Sequence, residues 1–195
     1  MRRDSESFPT WTSTWLRTMT KTRLDWDTGR LSTDELADAI AAELGCTAQA
    51  VRGYMSQLCR RVDFYPTINA ALRRRRGRGG RQAIVTVNPD LFEEVVTHYS
   101  LLDSFDAVIT SSSHGTDDKV ELCWRALELL GVDDPSDTVL IDNLQVNIDG
   151  WVTSGGKGYL FVDDNAFADD VACGKVPGFE ARDLVIGGEQ DQAGG

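Results

Sequence analysis

VLIDNLQVNID, residues 139–149, decides how the rest of the chain is read. A short apolar run stops at Asp142-Asn143, and Asn147 and Asp149 follow. This is the pattern of a buried parallel strand that delivers a carboxylate to its carboxyl end. Three other runs share the pattern: QAIVTV (82–87), DAVIT (106–110) and GYLFV (158–162), with TVLID (138–142) completing the set. Helical patterns separate them, at about 67–76, from Pro89 to about His98, and at 118–130. In the last, Val120, Cys123, Trp124, Leu127 and Leu130 are the apolar positions. Strands alternating with helices predict an α/β chain with a parallel, doubly wound sheet. Function in such sheets gathers at the carboxyl ends of the strands.

The chain before Pro66 has a different texture. Residues 11–27 carry Trp11, Trp15, Leu16, Met19 and Leu24 without Gly or Pro, which predicts a helix ended by Gly29. LSTDELADAIAAELG opens on a cap at Ser32 or Thr33 with Asp34 and Glu35 in the first turn, and Gly45 closes it. Leu36, Ile40 and Leu44 recur at helical spacing. A further amphipathic helix begins near Thr47, with Val51, Tyr54, Met55 and Leu58 assigned to one face. Residues 11–62 therefore read as a helical cap, 63–180 as an α/β core, and 181–195 as a disordered tail.

Bulk properties exclude several classes. The chain of 195 residues, 41% hydrophobic, has enough apolar side chain for a true core. A net charge of −11 argues against broad affinity for nucleic acid or anionic membranes. No apolar stretch reaches the roughly 20 residues needed to cross a bilayer, and the N-terminus lacks the apolar segment of a signal peptide. Cys46, Cys59, Cys123 and Cys173 form no CxxC, which predicts reduced thiols in a cytoplasmic protein rather than zinc ligands.

Candidate chemistry sits at the strand ends. Thr86 closes one strand with Asn88 just beyond, Lys119 opens the 118–130 helix, and Asp142-Asn143 close a third strand. A hydroxyl and an ammonium hold phosphate oxygens, and a carboxylate holds a divalent cation. Each residue has a structural alternative, since Thr ends strands in turns, Lys at a helix start is solvated, and Asp-Asn enters helices. The order of all of them favours the functional reading.

With these pieces in that order, the chain resembles the haloacid dehalogenase (HAD) superfamily, most nearly its phosphatase-like branches with a small helical cap. GRLSTDELADAIAAELG resembles the cap helices. FDAVITSSSHGTDDKVELCWRALELLGV resembles the stretch with the family's lysine, here Lys119, and VLIDNLQVNIDGWVTSGGKGYLFV resembles its acidic motif. The resemblance implies a Rossmann-like core, hydrolysis through an aspartyl intermediate, and Mg²⁺. It implies Thr86 and Lys119 as catalytic-site residues, phosphate contacts from Thr86, Asn88 and Lys119, and a metal site at Asp142, Asn143 and Asn147, with Asp149 nearby.

The chain departs from that family at two points. The family's Asp-x-Asp-x-Thr strand, which supplies the nucleophile ahead of the cap, has no counterpart. Asp25-Trp26-Asp27-Thr28 imitates it, but the preceding TMTKTR is too polar for a central strand. If that segment were the motif, Asp25 would be the nucleophile and Asp27 the acid–base. Asn143 also stands where the family's second acid is expected, and a neutral ligand lowers affinity for a hard cation. The expectations are weak Mg²⁺ binding, a small phosphorylated or other anionic molecule as partner, and a hydrolase-like chain that is either inactive, a pseudoenzyme, or truncated, with its nucleophile strand encoded upstream of Met1. The alternative is a non-catalytic binding or regulatory protein that keeps the pocket. Arg73, Arg74, Arg75, Arg76, Arg78 and Arg81 read as a solvated helix end whose cations complement the helix dipole, not as a nucleic-acid patch.

Overall fold

The structure, a computed structural model, describes residue 20 and residues 22–184. The expected helix over 11–19 and the tail from 185 lie outside the described residues. Residues 22–27 are helical (α1), and they are followed by α2 (Thr33–Leu44), α3 (Ala48–Cys59) and α4 (Pro66–Gly77). Then come β1 (Ala83–Thr86), α5 (Phe92–His98), α6 (Leu101–Ser104), β2 (Ala107–Thr110), α7 (Ser111–His114) and α8 (Lys119–Leu130). The chain continues with β3 (Val139–Asp142), α9 (Gln145–Thr153), β4 (Lys157–Leu160) and α10 (Asp164–Ala172). Residues 22–62 contribute no strand.

The strands pair in parallel, as expected. β1 pairs with β2, Thr86 opposite Thr110, and β3 pairs with β4, Asp142 opposite Leu160. They form two two-stranded sheets rather than one continuous ladder.

The chain forms two compact units. One takes the residues up to Val62 with Ala83–Ala126; the other takes Asp63–Gln82 with the residues from Leu127 onward. In the first unit, Ser32 caps α2 in a reciprocal capping box with Glu35, and Gly45 ends it in the left-handed conformation at φ 66°. Leu36, Ile40, Val51, Met55 and Trp26 form the core between these helices. On α3 the buried stripe is Val51, Met55 and Cys59. Tyr54 and Leu58, expected on that face, are exposed because each lies one position off the i, i+4, i+8 row. The same shift explains α8, where Leu122, Cys123, Ala126 and Leu127 are buried and Trp124 is exposed. Ile109, Leu122 and Ala126 pack with Val85 and Val87 under β1 and β2.

In the second unit, Phe167, Tyr159, Ala71, Val171, Val176 and Phe179 form the core, with Ile68, Val139 and Ile141 against it. The α4 N-terminus is closed from outside. The Asp164 carboxylate accepts from Thr67 N at 2.8 Å and Ile68 N at 3.0 Å. Burial pushes that carboxyl up, but these hydrogen bonds outweigh it and hold it below the ordinary Asp range.

Candidate functional site

In the first unit the carboxyl end of β1 collects three of the residues singled out from the sequence. Asn88 Nδ2 donates to Thr86 Oγ1. Lys119, the first residue of α8, donates from Nζ to the Val85 carbonyl at 2.7 Å. Thr86, Asn88 and Lys119 are therefore neighbours at one strand end, although 33 positions separate Thr86 from Lys119 in the chain (119 minus 86). Hydroxyl, amide and ammonium donors converging at a strand end suit an anion with several oxygen acceptors.

Sequence reasoning missed what supports this loop. Ser111, fully buried, donates from Oγ to the Asp27 carbonyl and lies 3.1 Å from the Asn88 carbonyl. Asp90 accepts from Thr33 N at 3.0 Å and from Thr33 Oγ1. Thr110 caps α7 through Ser113 N at 3.3 Å. The hydroxyl run Thr110–Ser113 directly after a strand was the one available signal; Asp90 had none, because its partner lies 57 residues away.

Asp25 and Asp27 lie on α1, not at a strand end. Asp25 pairs with Arg30 at 2.8 Å, and Asp27, largely buried, pairs with Arg23 at 3.1 Å. The turn that follows them rests on the β2 end. Gly29 has φ 71°, and a Cβ there would sit 2.5 Å from the Ser112 carbonyl oxygen, so only glycine fits.

In the second unit Asp142 stands at the end of β3. Its Oδ1 accepts from Leu144 N at 2.8 Å and Asn147 Nδ2 at 3.0 Å, which ties off the entry to α9. Asp142 and Asn147 are thus brought together, Asn143 is exposed beside them, and Asp149 accepts from Gln145 Nε2 at 2.7 Å. One carboxylate with two amides, its oxygen already engaged by two N–H donors, is a poor fit to Mg²⁺ by itself. Among the described residues no group of three or more His, Cys, Asp or Glu side chains gathers to hold a metal.

Arg73, Arg78 and Arg81 are exposed, but four arginines of the run also hold specific partners. Arg74 donates to the Asp183 carbonyl at 2.7 Å, Arg75 to the Gly178 carbonyl, Arg78 to the Asp183 carboxylate, and Arg81 to the Leu130 carbonyl. Arg75 also lies over the Phe179 ring. These contacts correct a second expectation. Residues 181–184, assigned to the tail, form a 3-10 turn (Ala181–Asp183) in which the Asp183 carboxylate is fully buried. The guanidinium fork satisfies carbonyls and carboxylate together, which helix-end statistics do not capture.

No family model matches the chain, and no curated protein matches it. Solved structures do. A HAD family enzyme of Bacteroides thetaiotaomicron superimposes with a TM-score of 0.65 at 14% identity, over 83% of this chain and 87% of that one. The same enzyme in complex with magnesium and inorganic phosphate gives 0.64 at 15% identity, with the same coverage. The L-2-haloacid dehalogenase of Xanthobacter autotrophicus with chloropropionic acid covalently bound gives 0.56 at 21% identity, over 89% of this chain and 74% of that one. The chain has the haloacid dehalogenase-type fold, an α/β core of Rossmann type. At these identities the likeness is one of fold alone.

Proposed function

We propose that this chain is a HAD-type, hydrolase-like protein that binds a small phosphorylated or similarly anionic molecule at the carboxyl end of β1. The observation that carries the reading is the meeting of Thr86, Asn88 and Lys119 at that strand end. A Lys ammonium has three N–H donors, so it can keep its bond to the Val85 carbonyl and still neutralise a phosphate oxygen. In this reading the helices up to residue 62 act as a cap over the core that follows. Mg²⁺ binds weakly, through Asp142 with help from Asn143 and Asn147.

Turnover is not expected from the described residues. Attack on phosphorus needs a carboxylate held against the substrate. Asp25 and Asp27 instead sit on a helix in ion pairs with Arg30 and Arg23. Four of the six arginines, Arg74, Arg75, Arg78 and Arg81, are committed to backbone carbonyls or to Asp183, which favours a small anion over nucleic acid as the ligand. Among the described residues no helix is long and apolar enough to cross a membrane.

Calorimetry with inorganic phosphate, with a parallel aryl phosphate assay at graded Mg²⁺, tests the reading. The expected result is saturable phosphate binding, weakened at least about tenfold by Lys119→Ala, the scale of one charge-assisted hydrogen bond. Aryl phosphate hydrolysis is expected to stay at background. Mg²⁺-dependent turnover abolished by Asp25→Asn would overturn the account and make Asp25 the nucleophile.

A further inference from the structure

We infer that Asp90 is the positioning residue of the anion-binding loop, and that it acts through Thr33 and Trp26. The inference rests on the reading of Thr86, Asn88 and Lys119 as an anion site. Those side chains need a fixed loop, because donors converge on an anion only if the backbone between them holds its course. The loop after β1 runs through Val87, Asn88 and Pro89 to Asp90, and Pro89 is buried. Pro fixes one dihedral but removes an N–H, so the loop must be held by other groups.

Two sets of hydrogen bonds hold it. At Asn88, the backbone carbonyl lies 3.1 Å from Ser111 Oγ, and it accepts from Ser112 N at 3.4 Å. Two residues on, the Asp90 carboxylate closes on Thr33 through the backbone N–H, at 3.2 and 3.0 Å to its two oxygens, and through the Thr33 hydroxyl. Asp90 also accepts from Leu91 N at 3.0 Å, which fixes its own rotamer. The Thr33 hydroxyl, fully buried, in turn accepts from the Trp26 indole Nε1 at 3.0 Å. A continuous hydrogen-bonded path thus runs from the loop to a buried indole, all within the first unit. The Ser32–Glu35 capping box satisfies the Glu35 and Ser32 N–H groups and leaves the buried Thr33 N–H of the first turn to Asp90. One carboxylate therefore closes α2 and ties the loop after β1 to it, and Trp26 senses the junction through the Thr33 hydroxyl. A donor–acceptor chain in a buried setting polarises along its length, so a change at the loop reaches the indole N–H.

The test uses the full chain labelled with ¹⁵N at tryptophan, the Trp26 indole resonance assigned by Trp26→Phe, and inorganic phosphate as the probe. In the wild type, the indole resonance should shift saturably with phosphate. Asp90→Asn should raise the phosphate dissociation constant about tenfold, the loss of one charge-assisted hydrogen bond. Thr33→Val, which keeps the shape but severs the hydroxyl link, should weaken binding and abolish the indole shift. Thr33→Ser should restore both, a rescue that a purely structural role would not require. Unchanged phosphate affinity in both Asp90→Asn and Thr33→Val, or an indole that ignores phosphate in a wild type that binds it, would overturn the inference and leave the anion site standing. Absence of phosphate binding by the wild type, or binding indifferent to Lys119→Ala, would sink the anion site and this inference with it.

Discussion

The Arg78–Asp183 pair should respond asymmetrically to removal of its two partners. Asp183 is fully buried, whereas Arg78 keeps 41% of its side chain exposed. Asp183→Ala frees a guanidinium that water can solvate, and it removes the carboxylate that accepts from Glu180 N at 2.8 Å. The expected loss is about 1.5–3 kcal/mol, because relief of the buried charge offsets part of the two hydrogen bonds given up. Arg78→Ala instead leaves a buried carboxylate without its main counter-charge, which costs about 3–5 kcal/mol. The nearby Arg75 places the value toward the lower end. The pH dependence separates the two variants. Burial pushes the Asp183 carboxyl up, but Arg78 and the Glu180 N–H outweigh it and hold it below its ordinary 3.8. In the wild type, this stability is present above that value and is lost as pH falls through the depressed one. Without Arg78, burial dominates and protonation relieves the penalty. The gap between Arg78→Ala and wild type should therefore narrow as pH falls from neutral toward the carboxylate range. Urea unfolding of the full chain, followed by far-UV circular dichroism at several pH values, measures this. Equal losses for the two variants, or an Arg78→Ala deficit that ignores pH, would refute the argument.

Three further outcomes follow from the same structure. Gly29→Ala should destabilise the chain by more than about 2 kcal/mol in thermal or urea unfolding, since a left-handed backbone and a backbone clash at Ser112 act together. Burial, and then the hydrogen bond to Asp170, push the Tyr159 hydroxyl from 10.0 up to about 12, so stability present below the lower value should drain away as pH rises through that window. The loss is up to about 3 kcal/mol, and Tyr159→Phe should flatten it in alkaline unfolding curves. Asn143→Asp should tighten Mg²⁺ binding seen by calorimetry and leave aryl phosphate hydrolysis at background.

Local chemistry made the elements legible. The Ser32 cap, the Gly45 stop and the four parallel strands follow from residues within a few positions of each other, and strand limits differ from expectation by two residues at most. Faces were harder to read. Tyr54, Leu58 and Trp124 are apolar but exposed, because hydrophobicity alone does not say where a helical stripe is centred. Long-range polar contacts were not legible at all. Arg74 and Arg78 reach Asp183 across more than 100 positions, and Asp90 reaches Thr33 across 57. Thr86, Asn88 and Lys119 could be singled out as candidates because strand ends in a parallel sheet are privileged positions; the contacts of Ser111 and Asp90 with the same loop exist only once the chain is folded.

The most direct test of the central claim is a map of backbone and Lys side-chain chemical shifts as inorganic phosphate is added to the chain in the absence of Mg²⁺. The account predicts saturable shifts at Thr86, Val87 and Asn88 and at the Lys119 ammonium, with Arg73–Arg78 unmoved. No saturable shift at the β1 end, or shifts confined to the arginine run, would contradict it.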